Sequence, residues 1–176
     1  GNNGNLTNGA TWVTGKIGGA LSFDGVNDRF VAQIPNPSLP FTFSFWIKPN
    51  SNNPRGIIDT APHLHNVLRI HPNGGRFEWW DENPIFNLNV TAYQWQLMVI
   101  QINHTGSQRV LTYYLNGELI DSYSSNGNNT FGWSDLVLGD VNNGNDGRFN
   151  GLIDDFRIYD RALSAEEVQA LYNLGQ

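Results

Sequence analysis

A short acidic turn near the start of the chain and a carboxylate near its end could together bind a metal ion. The turn contains Asp24, Asn27 and Asp28, and Asp154 lies two residues before Phe156 on one face of a period-two segment. Calcium takes about six to eight hard oxygens, more than a single turn usually supplies. We therefore predict that Asp24, Asn27, Asp28 and Asp154 share a structural calcium ion, with a backbone carbonyl of the turn.

The same carboxylates have an explanation that needs no ion. Asp24 can close an Asx turn onto its own backbone, and Asp28 can pair with Arg29 or Arg157. Asp154 would then only end a strand. The residues alone leave both interpretations open.

A second group of polar residues lies in a predicted hairpin with an Asn-Gly turn. If His71 opposes Arg76 across this turn, Arg69 opposes Glu78. An outward aromatic ring beside Arg, His and carboxylate groups suits a sugar, because sugar C–H groups stack on rings, and hydroxyls accept hydrogen bonds from Arg and His and donate them to carboxylates. The alternative is an ordinary cross-strand ion pair. The predicted ligand-binding residues are Arg69, His71, Glu78 and Trp80 of the hairpin face, with Tyr114 from a neighbouring strand.

Catalysis at this face is the weaker interpretation. Glu78 and Glu82 share a face, but their backbones are roughly 13 Å apart along an extended strand. Retaining glycosidases need carboxylates about 5 Å apart. Arg69, His71 and Tyr114 could in principle serve a polysaccharide lyase. We predict a non-catalytic domain, with a polysaccharide-degrading enzyme as an alternative.

Composition limits the partners of the chain. The 176 residues are 39% hydrophobic and only 15% charged, and Asn, Gly, Ser and Thr supply most of the polarity. The net charge of −6 argues against nucleic acid, because no Lys/Arg stripe could neutralise phosphates. No apolar run is long enough to cross a membrane, and cysteine is absent.

The spacing of apolar residues and turns predicts the elements that must position these residues. Short strands recur every 8–12 residues, and the alternation over 41–47 indicates a half-buried strand. Residues 1–11 are expected to form a loop or a loosely held edge. Ser164 and Glu167 form a capping box that starts one short C-terminal helix. These features predict an all-β fold, an antiparallel two-sheet β-sandwich.

Four motifs follow one another along the chain. They are Lys-x-Gly-x-Ala-Leu-x-Phe-Asp-Gly from Lys16, Phe-Thr-Phe-Ser-Phe-Trp-Ile from Phe41, Tyr-Leu-Asn-Gly from Tyr114, and Phe-Asn-Gly-x-Ile-Asp-Asp-x-Arg-Ile-Tyr-x-Arg-Ala-Leu-Ser from Phe149. Their order and spacing resemble the laminin-G-like, concanavalin A-like jelly-roll domains of secreted multidomain proteins. Family members often hold a calcium between the first and last of these segments. The family contains carbohydrate-binding modules, adhesins and some enzymes, so the resemblance specifies fold more narrowly than function.

The resemblance implies one jelly-roll domain over residues 1–176, cut from a larger extracellular or cell-surface protein. Such domains usually begin with an aromatic-rich strand near the last one, and this chain is expected to lack it. We predict a carbohydrate-recognition module that binds a polysaccharide or glycan. A structural or adhesion domain that contacts a cell-surface protein is the alternative. Neither nucleic acid nor membrane insertion is expected.

Overall fold

The computed structural model describes residues 4–35, 37–52, 54–61, 65–71, 74–76, 90–126, 134–141 and 147–176. These residues form thirteen strands and one helix. The strands are β1 (Gly4–Thr7), β2 (Thr11–Thr14), β3 (Gly19–Asp24), β4 (Arg29–Gln33), β5 (Phe41–Pro49), β6 (Ile58–Ala61), β7 (His65–His71), β8 (Gly74–Arg76), β9 (Gln96–Thr105), β10 (Gln108–Leu115), β11 (Glu118–Asn126), β12 (Asp135–Leu138) and β13 (Asn150–Tyr159), and the helix is α1 (Ala165–Leu174).

The strands form two antiparallel sheets that pack face to face. The six-stranded sheet has the order β1-β4-β12-β6-β7-β8, and the seven-stranded sheet has the order β11-β10-β9-β5-β13-β3-β2. The main core lies between them and contains the inward residues Phe41, Phe43 and Phe45 of β5. Burying such rings removes a large apolar area from water. The predicted β-sandwich with one C-terminal helix is confirmed.

Strand β5 is buried on both faces rather than half-buried as its alternation predicts. Its even-numbered residues lie on the outer face of the seven-stranded sheet, where Trp46 joins a second cluster with Leu163 and Val168. The ring of Trp46 stacks on Tyr172 of α1 at 5.8 Å. The helix therefore covers the centre of the outer face of this sheet.

The predicted capping box at the start of α1 is confirmed. Ser164 Oγ accepts the Glu167 amide at 3.3 Å, and the Ser164 amide donates to Glu167 Oε2 at 2.8 Å. Arg161 also holds the Glu167 carboxylate, with Nη2 2.6 Å from Oε1. This hydrogen bond lowers the pKa of Glu167 to about 2.

Among the described residues, no helix has the length and apolarity that crossing a membrane requires.

Strand β1 lies in the region that the sequence predicts to be a loop or a loosely held edge, and it forms one edge of the six-stranded sheet. It pairs antiparallel with β4, Gly4 opposite Ala32 and Thr7 opposite Arg29. Its single apolar side chain, Leu6, packs against the main core. One apolar residue among four is too weak a periodic signal to predict a strand, so tertiary pairing decides the conformation.

Strand β13 pairs with β5 on one side and with β3 on the other. A register shift interrupts its pairing with β5 between Asp154 and Arg157, and Asp155 there has φ of +49°. Like a β-bulge, this irregularity shifts by one residue the alternation of inward and outward side chains along β13. Ile153 and Phe156 both face the main core, whereas Asp154 lies opposite Trp46 on the outer face.

We expect Gly139→Ala to destabilise the sandwich strongly. Gly139 has φ of +91°, and an added Cβ would overlap the buried Phe23 ring and lie 2.8 Å from the Asp28 carbonyl oxygen. Strain and overpacking together should lower the free energy of unfolding by about 3–5 kcal/mol, measured by urea denaturation.

Gly106→Ala is the matched control for this substitution. Gly106 also has a positive φ, +64°, but an added Cβ would meet no atom within 4 Å. Only backbone strain remains, which costs about 1–2 kcal/mol. Equal destabilisation by the two substitutions would contradict the tight packing at Gly139.

Candidate functional site

The predicted hairpin lies at one edge of the six-stranded sheet, where β7 joins β6 and β8. Its register differs from the predicted one, because Arg69 lies opposite Arg76 and His71 lies opposite Gly74. The pair next to the turn is therefore His71 with Gly74 instead of His71 with Arg76. Glu78 and Trp80 lie outside the described residues, as does Glu82, so their part in the site stays a prediction.

Tyr114 does not join this hairpin, which corrects the prediction. It lies on β10, which pairs with β9 in the seven-stranded sheet, whereas β7 belongs to the six-stranded sheet. Its side chain packs with the cluster around Trp46 beneath α1. Tyr114 does point away from the main core, as its alternation predicts. It lies, however, on the outer face of the seven-stranded sheet, and the hairpin belongs to the six-stranded sheet.

The outer face of the six-stranded sheet carries two carboxylates that the sequence analysis did not identify. Val137 lies opposite Asp59, and Asp135 lies opposite Ala61, so Asp59 and Asp135 are diagonal neighbours on one face. Asp59 is only 1% exposed, and its Oδ1 accepts the Thr60 amide at 2.8 Å. Such burial suits a structural carboxylate better than a general acid or base that must meet a polymer.

These two residues lacked a usable sequence signal. Asp59 follows Ile57-Ile58, and Asp135 precedes Leu136-Val137-Leu138, and continuous apolar runs do not reveal which face a flanking residue occupies. Only the register of β6 and β12 brings the two together.

The Asp24–Asp28 turn has the hydrogen bonds of an Asx turn and one additional feature. Asp24 Oδ1 accepts the Val26 amide at 2.7 Å, and Asp28 Oδ2 accepts the Asp24 amide at 2.9 Å. Asp28 is 4% exposed, and its Oδ1 has no hydrogen-bond partner in the described part of the chain. An added Cβ on Gly9 would lie 2.9 Å from this oxygen. A buried anionic oxygen without a partner is costly, and a cation would stabilise it.

Asp154 does not meet this turn, so the predicted four-residue calcium site is wrong in this respect. Asp154 lies opposite Ala20, whereas Asn150 lies opposite Asp24, which separates the two carboxylates by roughly 13 Å along the strand. The Asp154 carboxylate instead accepts the amides of Ile17 and Asp155, both at 2.7 Å. Within the described ranges, no three His, Cys, Asp or Glu side chains converge as metal ligands.

The predicted ion pairs of Asp28 with Arg29 or Arg157 do not form. Arg29 pairs with Asp140, with Nε 2.6 Å from Oδ2, and Arg157 pairs with Asp155 at 2.9 Å. Asp140 is 1% exposed and lies just after β12, so its ion pair ties the end of β12 to β4. Both arginines thus neutralise carboxylates other than Asp28.

Comparison with known proteins shows the family and the fold. The laminin-G family model described as the concanavalin A-like lectin/glucanases superfamily matches residues 18–169. Botulinum neurotoxin type F of Clostridium botulinum is 28% identical over 153 residues, which cover 76% of this chain and 12% of the toxin. The chain thus spans about an eighth of that relative's length.

Two solved structures share the fold at low sequence identity. Domain 4 of AbnA, a GH43 extracellular arabinanase of Geobacillus stearothermophilus, in complex with arabinotriose, is 20% identical with a TM-score of 0.78. The match covers 96% of this chain and 87% of that domain. A botulinum neurotoxin type C structure, described as showing that cell entry depends on two ganglioside molecules, is 18% identical with a TM-score of 0.75, over 99% of this chain and 47% of that one. With the family match over most of its length, the chain belongs to the concanavalin A-like lectin/glucanases superfamily.

Proposed function

We propose that this domain is a non-catalytic carbohydrate-recognition module of an extracellular or cell-surface protein. The observation that carries the proposal is the structural match to a domain solved in complex with arabinotriose, which covers 87% of that domain. The likeness concerns the fold, and the ligand class is our inference from it. The ganglioside dependence stated for a neurotoxin of the same fold supports glycans as the ligand class.

The packing of the sandwich favours the hairpin edge as the binding face. Helix α1 and its cluster cover the centre of the outer face of the seven-stranded sheet, where Trp46 is 1% exposed. The centre of the other outer face is also buried, since Val137 is 4% exposed. The β7–β8 edge lies two strands away from β12. Arg69 and His71 of β7 are therefore proposed to donate hydrogen bonds to sugar hydroxyls.

The proposed recognition is ground-state binding without bond cleavage. Trp80 would stack on the apolar face of a sugar ring, Glu78 would accept hydroxyl protons, and the loop after β6 would set specificity. Asp59, the nearest described carboxylate on that face, is buried and holds the Thr60 amide. Its environment supports a structural role, in agreement with a binding module.

We expect a glycan array carrying arabinan oligosaccharides and ganglioside glycans to detect binding that Trp80→Ala reduces by about tenfold or more, because a stacked aromatic dominates such sites. Trp12→Ala is the matched control, since Trp12 is 63% exposed on β2 of the other sheet. Thermal melting verifies that both variants fold.

One result would contradict the proposed location of the site, and two would contradict glycan recognition itself. Binding that survives Trp80→Ala would place the site elsewhere. Absence of any glycan hit, with capture of a cell-surface protein, would favour the adhesion alternative. Release of reducing ends or unsaturated products from a polysaccharide would make the domain an enzyme.

A structural calcium ion at the Asp24–Asp28 turn is a second part of the proposal. Asp28 Oδ1 has no hydrogen-bond partner among the described residues, which supports a cation there. The Asn8–Gly9 segment lies beside it, with Asn8 Nδ2 3.0 Å from the Asn27 carbonyl oxygen. Side-chain and carbonyl oxygens are the ligands that calcium prefers. Asp24, Asn27 and Asp28 would contribute to such a site, and Asp154 would not.

We expect EDTA to lower the melting temperature by several degrees, because loss of a ligand bound only to the folded state removes about 2–3 kcal/mol at a hundredfold excess over Kd. Asp28→Asn should abolish this difference between calcium and EDTA. Asp154→Asn should lower the melting temperature while keeping the difference, because its carboxylate binds amides elsewhere. A melting curve insensitive to EDTA would contradict the site.

A further inference from the structure

Three arginines collect at one end of the six-stranded sheet, although the chain as a whole carries a net charge of −6. Arg29 begins β4, Arg55 shortly precedes β6, and Arg148 lies opposite Asp140, which follows β12. Strands β4 and β6 flank β12 and run antiparallel to it, so their starts lie beside the end of β12. We call Arg29, Arg55 and Arg148 the arginine cluster.

The side chain of Arg55 packs on the backbone next to Arg148. An added Cβ on Gly147 would lie 2.7 Å from Arg55 Cβ and 2.8 Å from Arg55 Cδ. An added Cβ on Gly56 would overlap the Gly147 carbonyl oxygen and lie 2.9 Å from Arg148 Cα. Both glycines have a positive φ, so they permit a close approach that a side chain would prevent. The stem of Arg55 is thereby held beside residue 148.

The positive charge of the arginine cluster exceeds the negative charge that the described residues offer it. Asp140 is buried, and its Oδ2 lies 2.6 Å from Arg29 Nε but 3.7 Å from Arg148 Nε. Arg148 Nε has no hydrogen-bond partner in the described ranges. Arg55 is exposed and forms no ion pair with a described residue. Asp28 lies on the β4 side of β12, whereas Arg55 lies on the β6 side.

We propose that Arg55 and Arg148 bind the carboxylate of a uronic acid in an acidic glycan. Each guanidinium group is a planar fork of N–H donors that matches the two oxygens of a carboxylate. Arg29 already neutralises Asp140, so the donors of the other two arginines are the ones left for an incoming anion. A neutral glycan would leave both forks without an anionic acceptor.

The arginine cluster lies at the same end of the sheet as the proposed hairpin site. Strand β6 begins at Ile58, which lies opposite Leu68 of the antiparallel strand β7. Strand β7 continues from Leu68 to His71, toward the end from which Arg55 leads into β6. One glycan chain can therefore contact the hairpin and place a carboxylate at the cluster. The inference rests on the proposed glycan recognition and narrows the ligand to a carboxylated glycan.

The test follows the side-chain Nε–H resonances of Arg55 and Arg148 by NMR while D-glucuronate is added to the whole chain at constant ionic strength. Both resonances should move and then saturate, and D-glucose, which lacks the carboxylate, should leave them in place. Arg55→Gln should weaken glucuronate binding by about tenfold, because it removes charge-assisted hydrogen bonds. Arg55→Lys should recover only part of this loss, since an ammonium group cannot form a bidentate fork.

Arg161→Gln is the matched control. Arg148 precedes β13 and Arg161 follows it, so the ten residues of the strand separate the two arginines. Loss of the Arg161 charge should therefore leave glucuronate affinity within about twofold. Thermal melting verifies that Arg55→Gln and Arg161→Gln both fold.

Arginine resonances that do not respond to glucuronate would overturn the inference. A stronger response to inorganic sulfate or phosphate than to glucuronate would overturn the assignment to a sugar carboxylate. Glycans that bind in a Trp80-dependent manner, without preference for carboxylated over neutral chains, would overturn this inference and leave the proposed function intact. Absence of any glycan binding would contradict the proposed function and, with it, the carboxylated ligand.

Discussion

The whole sandwich depends on the pairing of β13 with strands from the first third of the chain. Its residues 150–154 pair with β3, and the same strand pairs with β5 almost throughout. These contacts join segments more than a hundred residues apart in sequence, so closing them costs loop entropy that the buried core must offset. Ile153 lies opposite both Leu21 and Ile47, and all three belong to the main core. The ladder is thereby continuous with the hydrophobic contacts between the sheets.

The register shift in β13 determines which of its side chains face the main core and which reach the outer face. The register shift after Asp154 moves that carboxylate to the outer face, where the turn before β3 supplies the Ile17 amide. It also points Phe156 and Ile158 inward, toward the main core. A strict period of two would put Asp154 beside Phe156, which is the interpretation that the sequence favours. Bulges have no reliable signature in one sequence, so the face of Asp154 could not be predicted.

The sequence predicted correctly those features that depend only on residues close together in the chain. The capping box of Ser164 and Glu167 and the inward set of β5 are both present in the structure. Facts that depend on which strands become neighbours were not predictable. The face of Tyr114 follows from alternation, but its sheet follows from the pairing of β10 with β9. The same limit applies to Asp59 and Asp135, which only the register of β6 and β12 makes neighbours.

Helix α1 packs on only one of the two outer faces of the sandwich, so the two faces differ in what they can do. Strand β13 leads directly into the capped helix, so the helix must fold back onto the sheet that contains β13. There it buries Val168 and stacks Tyr172 on Trp46, and that face is used for stability. Strands β6, β7 and β8 lie in the opposite sheet, on the far side of the main core from α1. Helix α1 therefore does not cover the sheet that contains the β7–β8 hairpin, the edge at which we propose recognition.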